Sequence, residues 1–169
     1  MRSRYVNYGR CGAIALLIIS LTVSASAQFR TSPSAKAKNE MAVAPVGKDQ
    51  LLAPEELATI LQSSGTKPLI LNIGPRMLYV QAHIPGAEFI GPASEPQGIE
   101  ALKQRVRGLP KSTSMVLYCG CCPWVHCPNV EPAYTMLRSM GFTKVKVLFL
   151  ATNLGVDWVY KGYPTVKGQ

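Results

Sequence analysis

Acidic residues are scarce in this chain. Nine Asp and Glu stand against eighteen Lys and Arg, and there are two histidines in 169 residues. The basic excess is scattered: no stripe of Lys and Arg interleaved with aromatics runs along any segment, which argues against a nucleic-acid interface. There is no internal repeat, which excludes a solenoid or propeller. No apolar run reaches the ~20 residues of a membrane-crossing helix. Apart from Cys11, every cysteine lies in one short stretch, so no second C-x-x-C pair exists to complete a zinc ribbon. Nor are cysteines spread out to staple a domain, and a bridge across so small a loop removes little chain entropy.

What is present begins with an N-terminal segment that does not read as part of the fold. Arg2, Arg4 and Arg10 precede an apolar run from Cys11 to Val23, and Ala25-Ser26-Ala27 then supplies small residues before Gln28. This is the layout of a secretory signal peptide, residues 1–27, cleaved after Ala27. Removing 27 of 169 residues leaves 142 and takes away three arginines and no acids, so the formal charge falls from +9 to +6. The expected destination is export: the periplasm in a Gram-negative bacterium, otherwise secretion or tethering, with no stable membrane span once the signal is gone. Residues 28–50, rich in Ser, Ala, Lys and Pro, read as a flexible linker. The folded domain is expected over 51–169, a length suited to one domain.

Within it, the pattern alternates. Pro54-Glu55-Glu56 opens a helix with Leu57, Ile60 and Leu61 on one face. Pro68 to Ile73 is a continuous apolar run, as expected of a strand buried on both sides. A helical turn over Arg76 to Ala82, a turn at His83 to Ala87 and a short strand at Glu88 to Ile90 follow. Next come a helix over Ile99 to Val106, a buried strand over Ser114 to Tyr118 and a helix over Val130 to Met140 closed by Gly141. A strand over Lys144 to Leu150 and a short helix around Asp157 to Tyr160 complete the chain. Such alternation predicts an α/β domain, three-layered, with a mainly parallel central sheet flanked by helices on both faces. Ligands in such sheets sit at the carboxyl ends of strands.

One of those ends carries Cys119, Gly120, Cys121, Cys122, Pro123, Trp124, Val125, His126 and Cys127. A strand that stops in a cysteine loop and restarts as a helix can aim backbone N–H groups at a sulfur. That predicts a Cys119 thiol lowered from ~8.5 by a unit or more. Three uses of the loop are open on the residues alone. Cys119 can act as a nucleophile. Cys119 and Cys122 form a C-x-x-C pair, as in dithiol redox sites, with Cys122 and Cys127 as candidate resolving thiols. Finally, Cys119, Cys121, Cys122, Cys127 and His126 offer soft ligands for zinc or copper. His126 is the only candidate cation between Cys119 and Asn129.

The chain resembles a rhodanese-like domain from about Leu52 to Gly168. The resemblance rests on Leu69 to Ile73 as a first core strand, the turn His83-Ile84-Pro85-Gly86-Ala87, the strand Val116-Leu117-Tyr118 running into Cys119, and a closing pattern of Leu137, Gly141-Phe142, Val145, Trp158 and Gly162-Tyr163-Pro164. It implies a sulfurtransferase that moves a sulfane sulfur through a persulfide on Cys119. It also implies a small sulfur donor, a thiol or protein acceptor, and no resident cofactor beyond the transient persulfide, with metal at the cysteine cluster left open. The loop is longer than the family's usual one and lacks its arginine, whereas a doubly anionic donor such as thiosulfate prefers a fixed positive charge. His83 is expected to brace its turn, Trp124 to wall the site, and Asp157 to cap the last helix.

Overall fold

The computed structural model describes residues 46–168; the expected signal peptide and most of the expected linker lie outside them. The last residues read as linker belong to the fold. Lys48–Gln50 forms a 3-10 turn and Val46 packs against the core.

Five strands are β1 (Leu51–Leu52), β2 (Leu69–Asn72), β3 (Ala87–Phe89), β4 (Met115–Tyr118) and β5 (Val145–Leu148). They form one sheet in the order β1-β5-β4-β2-β3, with every pairing parallel. The helices are α1 (Pro54–Gln62), α2 (Arg76–Gln81), α3 (Pro96–Val106) and α4 (Val130–Ser139), and a π-helical turn spans Gly155–Val159. The expected α/β architecture holds, and its sheet is wholly parallel.

Strand β4 explains the sidedness of the core. Met115 and Leu117 join Leu102 and Val106 of α3 and Ala133 and Leu137 of α4 in one apolar cluster. Val116 and Tyr118 join Leu57 of α1, Tyr79 of α2 and Trp158 in the other. Successive side chains of a strand point to opposite faces, so a strand covered on both sides must be apolar throughout. Burying a side chain such as Leu117, fully inaccessible, contributes about 1.5–3 kcal/mol.

Sequence boundaries shift where glycine and small elements intervene. Helix α3 starts at Pro96 rather than Ile99. Gly98 reads as loop but sits inside the helix, at a position where a Cβ would fall 2.0 Å from the Pro92 carbonyl oxygen. Strand β5 stops at Leu148, and beyond it the Leu150 carbonyl accepts the Trp124 N–H at 2.9 Å. The two-residue β1 falls where the sequence marks only the start of the domain.

The turn at 83–87 has a clear cause. The Ala87 N–H donates to the Ile84 carbonyl at 3.0 Å, with Pro85 and Gly86 between and Gly86 at φ 76°. This is a type II turn, in which proline presets the first central residue and glycine supplies the positive φ of the second. His83 braces it from within. It is buried, stacked on Tyr79 with ring centroids 3.9 Å apart, bonded through Nδ1 to the Tyr79 carbonyl, and paired by its backbone with Val166.

Candidate functional site

The sheet order places the site. From β2 the chain turns outward to β3, and from β4 it turns the other way to β5. The carboxyl ends of β2 and β4, which are neighbours, therefore flank the point where the winding reverses, and a crevice opens there in open parallel sheets. Gly74, after β2, and Cys119, after β4, meet at this point. A Cβ on Gly74 would lie 2.2 Å from the Cys119 carbonyl oxygen and 3.0 Å from its Sγ. Asn72, buried, fixes this approach by accepting the Gly74 N–H at 3.1 Å.

After Cys119 the chain reverses at Gly120, whose φ of 87° is a conformation that L side chains rarely adopt. The reversal returns Cys121 toward the strand end, with Cys121 Sγ 3.2 Å from Cys119 Sγ. Cys122 Sγ lies 2.9 Å from Cys121 Sγ. The loop is pinned to its neighbours: the Leu154 N–H donates to the Gly120 carbonyl at 3.1 Å, and Trp124 is tied to Leu150. A 3-10 turn over Trp124–His126 then delivers Cys127 beneath the start of α4.

Cys119, Cys121 and Cys127 come together, with all three sulfurs within 4.8 Å of one another. Cys119 and Cys127 are buried, Cys121 and Cys122 half-buried, and all four are free thiols. Neither Cys122 nor His126 joins the group of three. His126 is exposed, so the loop's one candidate cation is turned to solvent. Arg76 is also exposed and stacks over the Phe89 ring at 5.2 Å. Trp124, half-buried, lines a cavity of about 210 Å³ together with Cys127, Val130 and Glu131. Gly120 and Cys121 line another, of about 270 Å³, with Leu78, Gln81 and Leu154.

The sequence does not single out Asn129. It stands at the N-cap of α4, where Asn usually bonds the helix's own free N–H groups, yet its side chain makes no capping bond. The amide is buried instead. Its Oδ1 accepts the Ser94 N–H at 2.8 Å, and its Nδ2 donates to Cys119 Sγ at 3.2 Å and, more weakly, toward Cys127 Sγ at 3.9 Å. The signal in the sequence was an Asn between a cysteine loop and an apolar helix, and it was open to the ordinary capping interpretation.

The electrostatics correct one expectation. Cys119 does not have the lowered thiol. Its pKa is pushed up, first by the neighbouring Cys127 sulfur and then by burial. Cys127 is drawn down to about 6, chiefly by the neighbouring Cys119 thiol, against burial, with help from the Asn129 and Val130 N–H groups at the start of α4. The N–H groups at the helix start thus favour a thiolate on Cys127. Burial, followed by contact with Cys121, pushes Cys122 up to about 12. Asp157 holds the facing loop, accepting the Thr152 and Asn153 N–H groups at 2.6 and 3.0 Å.

A sequence model described as the rhodanese-like domain matches residues 53–149, more than half the chain. The chain belongs to the rhodanese-like domain family. Its fold is similar to that of the Alr3790 protein from Anabaena sp., at 25% identity and a TM-score of 0.52 over 69% of this chain and 92% of that one. The BH2092 protein from Bacillus halodurans shares the fold at 18% identity and a TM-score of 0.53, over 69% and 75% of the two chains. Thiosulfate sulfurtransferase from Pseudomonas aeruginosa shares it at 20% identity and a TM-score of 0.52, over 70% of this chain and 20% of that one. No curated protein matches by sequence. In this rhodanese-like domain the strand-end cysteine is Cys119, and Cys121, Cys127 and Asn129 surround its sulfur.

Proposed function

We propose that the protein is a sulfurtransferase that carries a sulfane sulfur as a persulfide on Cys119. The observation that carries this reading is the position of Cys119 at the carboxyl end of β4. There the winding reverses, Gly74 leaves it room, and the Asn129 amide donates to its sulfur.

The steps balance without an external oxidant. The Cys127 thiolate, its sulfur within 4.8 Å, takes the Cys119 proton. The Cys119 thiolate then attacks the outer sulfur of a donor. A sulfur–sulfur bond forms as the donor's own bond to that sulfur breaks, and the donor leaves with the electron pair. A nucleophilic acceptor next attacks the outer sulfur of the persulfide and regenerates the Cys119 thiolate. Asn129 assists by donating to the anion at both ends of the cycle, and no resident cofactor is required. The residues between Cys119 and Asn129 hold no Lys or Arg, which favours a donor of low charge, such as an organic persulfide, over thiosulfate.

We place this chemistry outside the cytoplasm, on the strength of the pattern over residues 1–27. The mature protein should begin at Gln28, as read by N-terminal sequencing of material from the native cell.

The test of the transfer reading is Cys119→Ala. Donor-treated wild type should gain one sulfur atom in intact mass and lose it to cyanide as thiocyanate. The variant should do neither. Full sulfur uptake by folded Cys119→Ala protein would overturn the assignment and move it to Cys121 or Cys127.

A further inference from the structure

Sulfur transfer through Cys119 explains one thiol. It does not explain why two more converge on it, nor why an amide is held between the two buried ones. We propose that Cys119, Cys121 and Cys127 form a three-coordinate site for a single monovalent copper ion.

The geometry suits a small trigonal centre. A metal–thiolate bond of about 2.3 Å sets the three sulfurs of a planar site about 4 Å apart. Here the Cys119 and Cys121 sulfurs are 3.2 Å apart and all three lie within 4.8 Å. Closing on an ion therefore asks for shifts of under about 1 Å, made by the loop thiol of Cys121. The other two are fixed: Cys119 by the end of a central strand and the close approach of Gly74, and Cys127 by its N–H bond to the Trp124 carbonyl at 3.2 Å.

The donor set selects the metal class. All three donors are sulfur, and thiolates favour soft ions, monovalent copper above all. Zinc in closed sites takes four ligands. Among the described residues no His, Asp or Glu joins the group, His126 is exposed, and Cys122 lies outside the trio although its sulfur touches that of Cys121. A hard cation would find no oxygen donor set.

The surroundings support thiolate ligands. Asn129 Nδ2 donates to Cys119 Sγ, and its amide cannot turn away because Oδ1 is held by Ser94. Outer groups of this kind orient ligands and are worth roughly 10- to 100-fold in metal affinity. Two thiols are buried and one half-buried, so the centre would be shielded from bulk water yet reachable from the Cys121 side. Because Cys119 would be a ligand, a bound ion and a persulfide on Cys119 exclude one another.

The experiment is an anaerobic titration of the full chain with Cu(I) in competition with a chromophoric Cu(I) chelator, followed by X-ray absorption on the loaded protein. The expected result is one copper per chain in a three-sulfur shell at about 2.3 Å. Cys121→Ser and Cys127→Ser should each weaken binding by roughly a hundredfold or more and Asn129→Ala by roughly tenfold, while His126→Ala and Cys122→Ser should change little. Circular dichroism shows whether each variant is folded, and Cys121→Ser, on a half-buried loop position, tests the site if Cys127→Ser does not fold. Loss of all copper to the chelator would overturn the proposal. So would a four-coordinate shell, tighter binding of zinc, or a Cys122→Ser effect equal to that of Cys121→Ser. None of these outcomes depends on sulfur transfer, whose failure is read separately from mass uptake in metal-free protein.

Discussion

Asn129→Asp is the most informative single change in the site. The new side chain has nearly the same shape. Its oxygen in the Oδ1 position keeps the Ser94 N–H bond at 2.8 Å, so the loop before α3 stays anchored. The other half of the group is reversed, and an N–H donor 3.2 Å from Cys119 Sγ becomes a carboxylate oxygen. Losing a hydrogen bond to an ionised group costs about 1.5–3 kcal/mol. That alone destabilises the Cys119 thiolate roughly ten- to a hundredfold, at about 1.4 kcal/mol per factor of ten. Two unit charges at that separation would add about 5 kcal/mol of repulsion at an effective dielectric of about 20. This is a ceiling, because the introduced carboxyl can take up a proton instead.

The assay is the rate of alkylation of Cys119 by iodoacetamide, mapped by peptide mass spectrometry across pH, beside single-turnover release of sulfur to cyanide. At neutral pH both should fall at least about tenfold, the lower bound set by the lost bond. The alkylation deficit should grow as rising pH ionises the introduced carboxyl, whose charge then opposes the Cys119 thiolate. A merely structural defect would show no such pH dependence. Folded Asn129→Asp protein that alkylates within threefold of wild type at neutral pH would refute the role assigned to the amide.

Other expectations follow from the same geometry. Gly74→Ala drives a Cβ to 2.2 Å from the Cys119 carbonyl oxygen, so backbone must move; a loss of about 3 kcal/mol or more in urea unfolding is expected, and a change below about 1 kcal/mol would show that β2 and β4 are not held as closely as described. Glu88 accepts two hydrogen bonds from Arg105, which hold its carboxyl below the usual range. Its stabilising contribution is therefore present above the unfolded-state pKa of ~4.3 and lost as pH falls through the folded value. With the two side chains 41% and 35% exposed, Glu88→Gln should cost under about 1 kcal/mol at pH 7. It should also flatten the acid limb of a stability–pH curve; an unchanged limb would count against the pair.

The fold was legible because its signals are local and mutually consistent. Pro54 and the acids after it start α1, Gly141 at φ 89° ends α4, and Pro85-Gly86 fits only a turn with a positive second φ. What stayed hidden was of two kinds. Gly98 buries a backbone contact within a helix, which a glycine in a string of turn-formers does not announce. Asn129 looks like a cap, and only the tertiary neighbours Ser94 and Cys119 turn it to another use.

Which of the two candidate resolving thiols, Cys122 or Cys127, lies beside Cys119 belongs to the second kind, and its cause lies in the pleat of β4. Met115, Leu117 and Cys119 fall on one face of the sheet, and Val116 and Tyr118 on the other. A run apolar at every position conceals that period of two, so spacing along the chain singles out Cys122 as the C-x-x-C partner. The pleat points Cys119 toward α3 and α4, and what arrives on that side is the chain returning to start α4, namely Cys127, Asn129 and Val130. Gly120, by reversing the chain just after the strand, brings Cys121 back to the same sulfur and leaves Cys122 one sulfur removed, against Cys121. The neighbours of the Cys119 sulfur are therefore set by which side of a strand a residue occupies and where a helix begins.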